Sequence, residues 1–293
     1  MLKNISDRYK TYKRLYKNYL VVMFKIILKP KTRDQITIIL KNGIKKKWDV
    51  DTIILYNYLS NNPDISSIDI DNDLVMFKYN DIALKFNSTE LGDIAEVFGL
   101  ETYKPLITNC QDYVVIDIGG NIGDSAIFFA VSGAKKVIAL EPFPYSYNIA
   151  LENIRMNNLE NKIIFINGGY GKGSIMIDEK FRNKVGTSIF ESKIGKKIPL
   201  YSLYDLIEKY KISKFILKID CEGCEYNLKN EEESIFDNIL RIQIEYHYGL
   251  NFFPDLLSDS NYEVHFTKPK KEKNYDAINS NMSVGWLYAF KKE

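Results

Sequence analysis

From about residue 112 onward, short solid apolar runs alternate with amphipathic runs of helical period. The apolar runs are "YVVIDIGG", "KKVIALEP", "KIIFING", "KFILKID" and "ILRIQIEYH". Between them lie "DSAIFFAVSG", "PYSYNIALENIRMNN", "LYDLIEKY" and "EYNLKNEEESIF". Strands that are apolar on both faces and alternate with helices predict a parallel sheet covered on both sides. Two further extended runs, "YEVHFT" and "VGWLYAF", close the chain, and the connection over 268–283 is long for a tight hairpin. Ligands on such sheets bind beyond the carboxyl ends of the strands, near the point where strand order reverses.

The upstream part has a different texture. Tyr and Leu recur every three or four positions among lysines over 2–28, which predicts helix. Asn42-Gly43 between two extended runs predicts a hairpin. A helix is expected at about 51–60, ended by "SNNPD", and then a second extended pair, "DLVMFKYNDIALKF", turning at Tyr79-Asn80-Asp81. "STELGDIAEVFGL" opens with Ser88 as a cap but has Leu91 where a capping box needs Glu. We therefore expect an amino-terminal extension of helix and hairpins over 1–84 and an α/β domain over 85–293.

Composition adds a charge asymmetry. The 293 residues are 45% hydrophobic, enough for a large core. Residues 1–50 hold 14 Lys+Arg against 3 Asp+Glu, a net +11, and the rest carries −9. This basic arm is read as a solvated helix packed on the body. Peripheral membrane contact through residues 1–50 and a homodimer contact through the arm and hairpins stay open. "YLVVMFKIIL" is too short to span a bilayer and carries Lys25. The opening residues lack a signal-peptide pattern and only three cysteines occur, so a soluble, cytoplasmic protein is expected.

The first strand of the α/β part runs into "DIGGNIGDS". A dinucleotide loop reads G-x-G-x-x-G, but counted from Gly119 this chain has Asn121 and Asp124 in the second and third slots. Asp124 puts a carboxylate at the start of the following helix and Asp117 adds another before the loop, so a polyphosphate is repelled. No Gly-Lys-Ser/Thr follows, which excludes a phosphate-binding loop of that type. The loop suits a cationic ligand without phosphates, and S-adenosylmethionine, with its ammonium and sulfonium, fits. Glu141 ends the second strand, placed to accept hydrogen bonds from ribose hydroxyls. Asn167 and Gly168 end the third, where an adenine can be bordered.

Together these stretches resemble a class I S-adenosylmethionine-dependent methyltransferase, more narrowly the FkbM family. "VVIDIGGNIGDSAIFFA" resembles its first motif, with Gly120 where Ala is usual, a change expected to be harmless. "VIALEPFP" resembles the second, "LENIRMNNL" the helix after it, "LKIDCEGCE" its K-I-D-x-E-G-x-E motif and "IQIEYH" its E-x-H strand. "LYSLYDL" is similar to the lead-in to its fourth strand, and "EVFGLETYKPL" to the segment before the first. The resemblance covers about 85–290. It implies a Rossmann-like, seven-stranded, mostly parallel sheet with its last strand antiparallel. It also implies cofactor contacts from Asp117, Gly119, Gly120, Asn121, Gly123, Asp124, Ser125, Glu141, Pro142, Asn167, Gly168 and Tyr103. The implied reaction is methyl transfer to an oxygen, often a hydroxyl of a sugar, glycan, lipid or secondary metabolite.

A hydroxyl acceptor must lose a proton. His247, at the end of the fifth strand, is the candidate base, with a structural role the competing reading. His265 is expected at an ordinary sheet position. Asp220 and Glu222 join His247 as candidate catalytic residues, with Glu225 and Glu245 nearby. Four acids in one cleft can hold a divalent cation or hydrogen-bond a sugar, and the second is favoured, with no metal assigned. A nucleic-acid methyltransferase using the basic arm is the alternative, disfavoured by the acidic rim of "DCEGCE". A non-catalytic cofactor-binding partner protein is the third reading.

The pair Cys221 and Cys224 lacks further ligands at zinc-finger spacing. It sits between a strand and a helix start, as redox dithiols do, although the neighbouring acids raise thiol pKa values. The stretch reads best as Asp220-x-Glu222-Gly223-x-Glu225 with cysteines in its two variable slots. Whether they join is left open.

Overall fold

The computed structural model describes residues 5–28, 35–71, 74–87, 91–107, 112–177, 195–273 and 281–292. Two compact units divide the chain, Met1–Thr102 and Tyr103–Glu293. The first begins with helices α1 (Ile5–Leu15) and α2 (Tyr19–Leu28). A hairpin follows, β1 (Ile36–Ile39) with β2 (Lys45–Trp48), and Gly43 takes the left-handed conformation at φ +95 that the turn requires. Helix α3 (Val50–Asn61) is capped by Asp49, whose side chain accepts from the Thr52 N–H at 2.8 Å.

The second extended pair is in fact a three-stranded meander of β3 (Ile65–Asp71), β4 (Leu74–Tyr79) and β5 (Ile82–Asn87). Sequence reasoning missed β3 because "ISSIDID" is mostly polar and exposed, and its register slips between Ser66 and Asp69 where Ser67 sits at φ 54. The β4–β5 turn falls at Asn80-Asp81, both left-handed, as expected. The boundary expected at 84/85 falls within β5. Helix α4 (Leu91–Ile94) runs into a π-turn over Ala95–Gly99, while the Ser88 cap lies outside the described residues.

The second unit opens with α5 (Lys104–Ile107) and then β6 (Val114–Ile118), α6 (Asp124–Val131), β7 (Lys136–Glu141), α7 (Pro144–Met156) and β8 (Ile163–Asn167). Three short strands follow, β9 (Gly169–Tyr170), β10 (Ser174–Ile177) and β11 (Lys196–Tyr201), then α8 (Leu203–Tyr210) and β12 (Phe215–Ile219). A 3-10 turn at Cys224–Asn230 leads to α9 (Glu233–Phe236), β13 (Ile239–Tyr246), α10 (Phe253–Asp259), β14 (Tyr262–Phe266), β15 (Lys270–Lys273) and β16 (Asn281–Lys291).

The main sheet has the order β14-β16-β13-β12-β6-β7-β8, and β15 pairs with β16 to make an eighth strand. Strands β8, β7, β6, β12 and β13 run parallel, and β16 is antiparallel to both β13 and β14. Strand β15 takes up part of the long 268–283 connection. The small sheet β10-β11-β9 was not expected; its glycines and lysines hide it from an apolar pattern.

Strand alternation sorts the side chains by face. Ile116, Ile118, Leu217, Ile219, Ile242 and Ile244 join one buried cluster with Leu203, Leu206 and Leu257 of the helices. The alternate residues Asp117, Lys218, Gln243 and Glu245 therefore point to the opposite face. Helix α8 is started by a capping box in which Ser202 and Asp205 exchange hydrogen bonds. Ser202→Ala is expected to lower stability by about 1 kcal/mol in denaturant unfolding, with no change in far-UV dichroism.

Candidate active site

Strands β6 and β12 are neighbours, with Asp117 and Lys218 directly paired in register. Their side chains are fully buried and form an ion pair at 3.0 Å. The Lys218 ammonium also donates to the Gly119 carbonyl at 2.7 Å, and Ser125 Oγ donates to the other Asp117 oxygen at 2.6 Å. Burial pulls the Lys218 pKa down most strongly, yet Asp117 and Asp220 more than offset it and hold the ammonium above its ordinary range. Sequence reasoning did not assign Lys218 a role. The available signal was one cation inside the apolar run "KFILKID".

The glycine loop turns at the end of β6. Gly119 (φ +80) and Gly123 (φ +82) are left-handed, and a Cβ on Gly119 would collide with the Asp220 carbonyl oxygen. A Cβ on Gly120, where the family resemblance has Ala, would meet the Phe165 ring at 2.9 Å, so Phe165 occupies that space here. Asn121 donates its N–H to Glu141 Oε2 at 2.9 Å, and Phe143 N–H donates to Oε1 at 2.9 Å. Asn153 of α7 fixes the loop by donating to the Ile122 carbonyl at 2.8 Å.

Asp117, Gly119, Gly120, Asn121, Gly123, Asp124, Ser125, Glu141, Pro142, Asn167 and Gly168 thus lie at the adjoining ends of β6, β7 and β8 or in the loop between them. Asn167 binds backbone rather than standing clear: its amide donates to the carbonyls of Glu141 and Pro142 at 3.0 and 3.1 Å. Burial pushes both Asp124 and Glu141 up to about 7, against the opposing pull of Lys218 and backbone donors. Buried acids held near neutrality fit a ligand that brings its own positive charge.

The second group gathers beyond β12 and β13. His247 is buried, and both its backbone N–H and Nδ1 meet Glu225 Oε1, at 2.9 and 3.0 Å. Glu225 is itself fully buried and accepts from the Gly223 N–H at 2.7 Å. Because the carboxylate accepts, Nδ1 carries a proton and Nε2 faces the acids. Nε2 lies 3.4 Å from Glu222, 3.9 Å from Asp220 and 3.9 Å from Glu245. Burial works to lower the His247 pKa, but Glu222 and Glu225 outweigh it and raise it well above its ordinary value. Asp220 is lowered: burial opposes ionisation, and Lys218 and His247 prevail.

Tyr103, expected beside the cofactor, donates its hydroxyl to Asp220 Oδ2 at 2.9 Å and sits beneath the Lys218 ammonium. Its hydroxyl thus sits among the acids. One ligand atom each from Asp220, Glu245 and His247 can be chosen within 4.8 Å of one another, a span a divalent cation can bridge. His265 is elsewhere, exposed on β14 beside Glu263. Cys221 and Cys224 are joined by a disulfide, which closes the turn that carries Glu222. Cys110 lies outside the described residues.

A parallel sheet with this strand order, a glycine loop flanked by buried acids and an acid ending the next strand defines a class: the S-adenosylmethionine-dependent methyltransferase domain. Residues 117–280, more than half of the chain, match the family model described as Methyltransferase FkbM domain. The chain belongs to that family.

Among curated proteins, the ribosomal protein L11 methyltransferase of Carboxydothermus hydrogenoformans is 45% identical over 53 residues, 18% of this chain and 17% of that protein. The tRNA(Phe) (4-demethylwyosine(37)-C(7)) aminocarboxypropyltransferase of Pyrococcus horikoshii is 38% identical over 52 residues, 18% of this chain and 19% of that protein. The matched stretch thus spans less than a fifth of either relative. Among solved structures, the METTL16 MTase domain is 12% identical with TM-score 0.47, covering 87% of this chain and 86% of that one. TYW2 of M. jannaschii in complex with AdoMet is 15% identical with TM-score 0.38, covering 78% and 90%.

Two outcomes test the site. Lys218→Met strands Asp117 in the interior and is expected to cost about 3–5 kcal/mol in unfolding free energy, with loss of S-adenosylmethionine binding by calorimetry. Cationic ligand favours the ionised forms of Asp124 and Glu141, so binding at or just below pH about 7 is expected to release protons. Calorimetry in buffers of different ionisation enthalpy reads that release directly, and Glu141→Gln should reduce it.

Proposed function

We propose that this protein is an O-methyltransferase that methylates a hydroxyl of a sugar, glycan, glycolipid or secondary metabolite. The observation that carries the reading is His247, buried beside the cofactor loop and oriented by Glu225 so that Nε2 faces Asp220, Glu222 and Glu245. S-adenosylmethionine, when bound, supplies a methyl group already activated by its sulfonium. The residues of the chain then have three tasks. Asp117, Asp124 and the glycine loop receive the cationic end, and Glu141 takes ribose hydroxyls. Asp220, Glu222 and Glu245 accept hydrogen bonds from the acceptor and set its hydroxyl in line with the methyl. As the methyl left sulfur for the acceptor oxygen, the hydroxyl proton would pass to His247 Nε2, and Glu225 would stabilise the imidazolium.

A second reading keeps the same acceptor but uses a cation. The grouping of Asp220, Glu245 and His247 favours it, because a bridging divalent ion would lower the pKa of the bound hydroxyl. Turnover that disappears with chelator and returns with magnesium or manganese would support the cation over His247 as base. The competing acceptor class is macromolecular, since the matched relatives are named for a ribosomal protein and a tRNA. Acids around the acceptor space support a neutral hydroxyl compound over a polyphosphate chain.

The raised His247 pKa fixes the sign of the pH dependence. The base works only when neutral, so kcat/KM is expected to rise with pH through a limb above the ordinary histidine range. His247→Gln should lower kcat by about 10²–10⁴-fold and abolish the limb. Glu225→Gln removes the charge that raises the imidazole, so the limb should move to lower pH. Methyl ether formation across a panel of glycans, lipids and metabolites, read by mass, tests the acceptor. Product on RNA or protein alone would overturn the assignment.

A further inference from the structure

Helix α2 has two faces, and among the described residues only one is packed against the unit. Val22 is fully buried, with Met23 and Ile26 half-buried beside it, and these seat the helix in its unit. Leu20, Val21, Phe24, Ile27 and Leu28 form a single stripe at helical spacing, and each is between 50% and 69% exposed. Five large apolar side chains on one short helix are a concentrated patch, not the scattered exposure common on protein surfaces.

The charges around it are mainly cationic, with Asp7 of α1 the acid among them. Lys13 and Arg14 end α1, Lys17 precedes α2 and Lys25 lies on it, all exposed. Tyr9 of α1 packs edge-on against Tyr19 of α2, which keeps the two helices together. The hairpin brings further exposed lysines, Lys45 and Lys47, in the same unit. A second copy docked on this stripe would set like charges against each other. Nucleic acid would satisfy the cations but has no use for an aliphatic stripe. An anionic lipid surface satisfies both, with apolar side chains entering the acyl boundary and lysines meeting headgroups.

We propose that α2 and its flanking cations are a membrane-docking surface for anionic lipid. Helix α2 has ten residues, and among the described residues no helix is long and apolar enough to cross a bilayer, so the contact is interfacial. This inference does not depend on which acceptor is methylated.

The test is co-sedimentation of the full chain with vesicles of phosphatidylcholine alone and of phosphatidylcholine and phosphatidylglycerol in equal parts. Binding is expected to the mixed vesicles, to weaken with salt, and to be far weaker on phosphatidylcholine. Phe24→Glu/Ile27→Glu should lose at least about tenfold in partitioning, as expected when two apolar side chains no longer enter the interface. Lys13→Glu/Lys17→Glu should lose binding and its salt dependence while the stripe stays intact. Unchanged dichroism and melting qualify each variant, and Phe24→Ser/Ile27→Ser replaces the first if it unfolds. No preference for anionic vesicles overturns the proposal. So does a wild-type dimer in light scattering that Phe24→Glu/Ile27→Glu dissociates.

Discussion

The buried pair of Lys218 and Asp117 is the constraint on which the rest of the second unit depends. Two charges taken out of water are costly, and only close geometry with further hydrogen bonds offsets the loss. Here the geometry comes from sheet register, which sets the two residues side by side on central strands. The same ammonium binds the Gly119 carbonyl, so one cation locks strand to strand and strand to loop. It is also the counter-charge that lets Asp117, Asp124 and Asp220 share a small volume. Without it the acids would need protons, and the site would lose its attraction for a cationic ligand.

The sheet carries this out by separating its faces. On one, Ile116, Leu217 and Ile242 merge with the helices into a continuous apolar cluster. On the other, the same strands present Asp117, Lys218, Gln243 and Glu245. Asp117 and Lys218 are tolerated in central strands because each is the other's partner across the register, which is a stricter demand than burial alone. The His247–Glu225 contact repeats the device one strand further on, with a carboxylate fixing an imidazole instead of an ammonium.

Much of this was legible in the sequence, for physical reasons. Solid apolar runs betray strands buried on both faces, so the parallel strands of the main sheet were expected, while the antiparallel last strand was implied by the family resemblance. Asn42-Gly43 and Asn80-Asp81 announced turns because few residues accept left-handed backbone. Strand β3 was hidden because a mostly polar edge strand has no apolar signature, and β9, β10 and β11 were hidden because each is too short or too broken by lysines to form a solid apolar run. The acids at the ends of β6 and β7 stood out, but Lys218 did not. Its role exists only through register with Asp117, a relation between residues a hundred positions apart. Glu225 was visible as one acid among several, and that it grips His247 at two points depends on how the 3-10 turn folds back. The joining of Cys221 to Cys224 was left open, and spacing alone does not decide it.

The contact between Gly119 and the Asp220 carbonyl has a consequence for anyone who would redesign this enzyme. The glycine loop and the loop proposed to face the acceptor meet backbone to backbone, where a Cβ on Gly119 would strike the Asp220 carbonyl. Neither loop can be shifted without pressing on the other, and the disulfide further limits the play of the turn that carries Glu222. On the proposed function, new acceptors would therefore be sought by exchanging side chains such as Glu222 or Glu245, and not by loop grafting. In such a design the position of the methyl donor stays fixed while the vocabulary of its recipients changes.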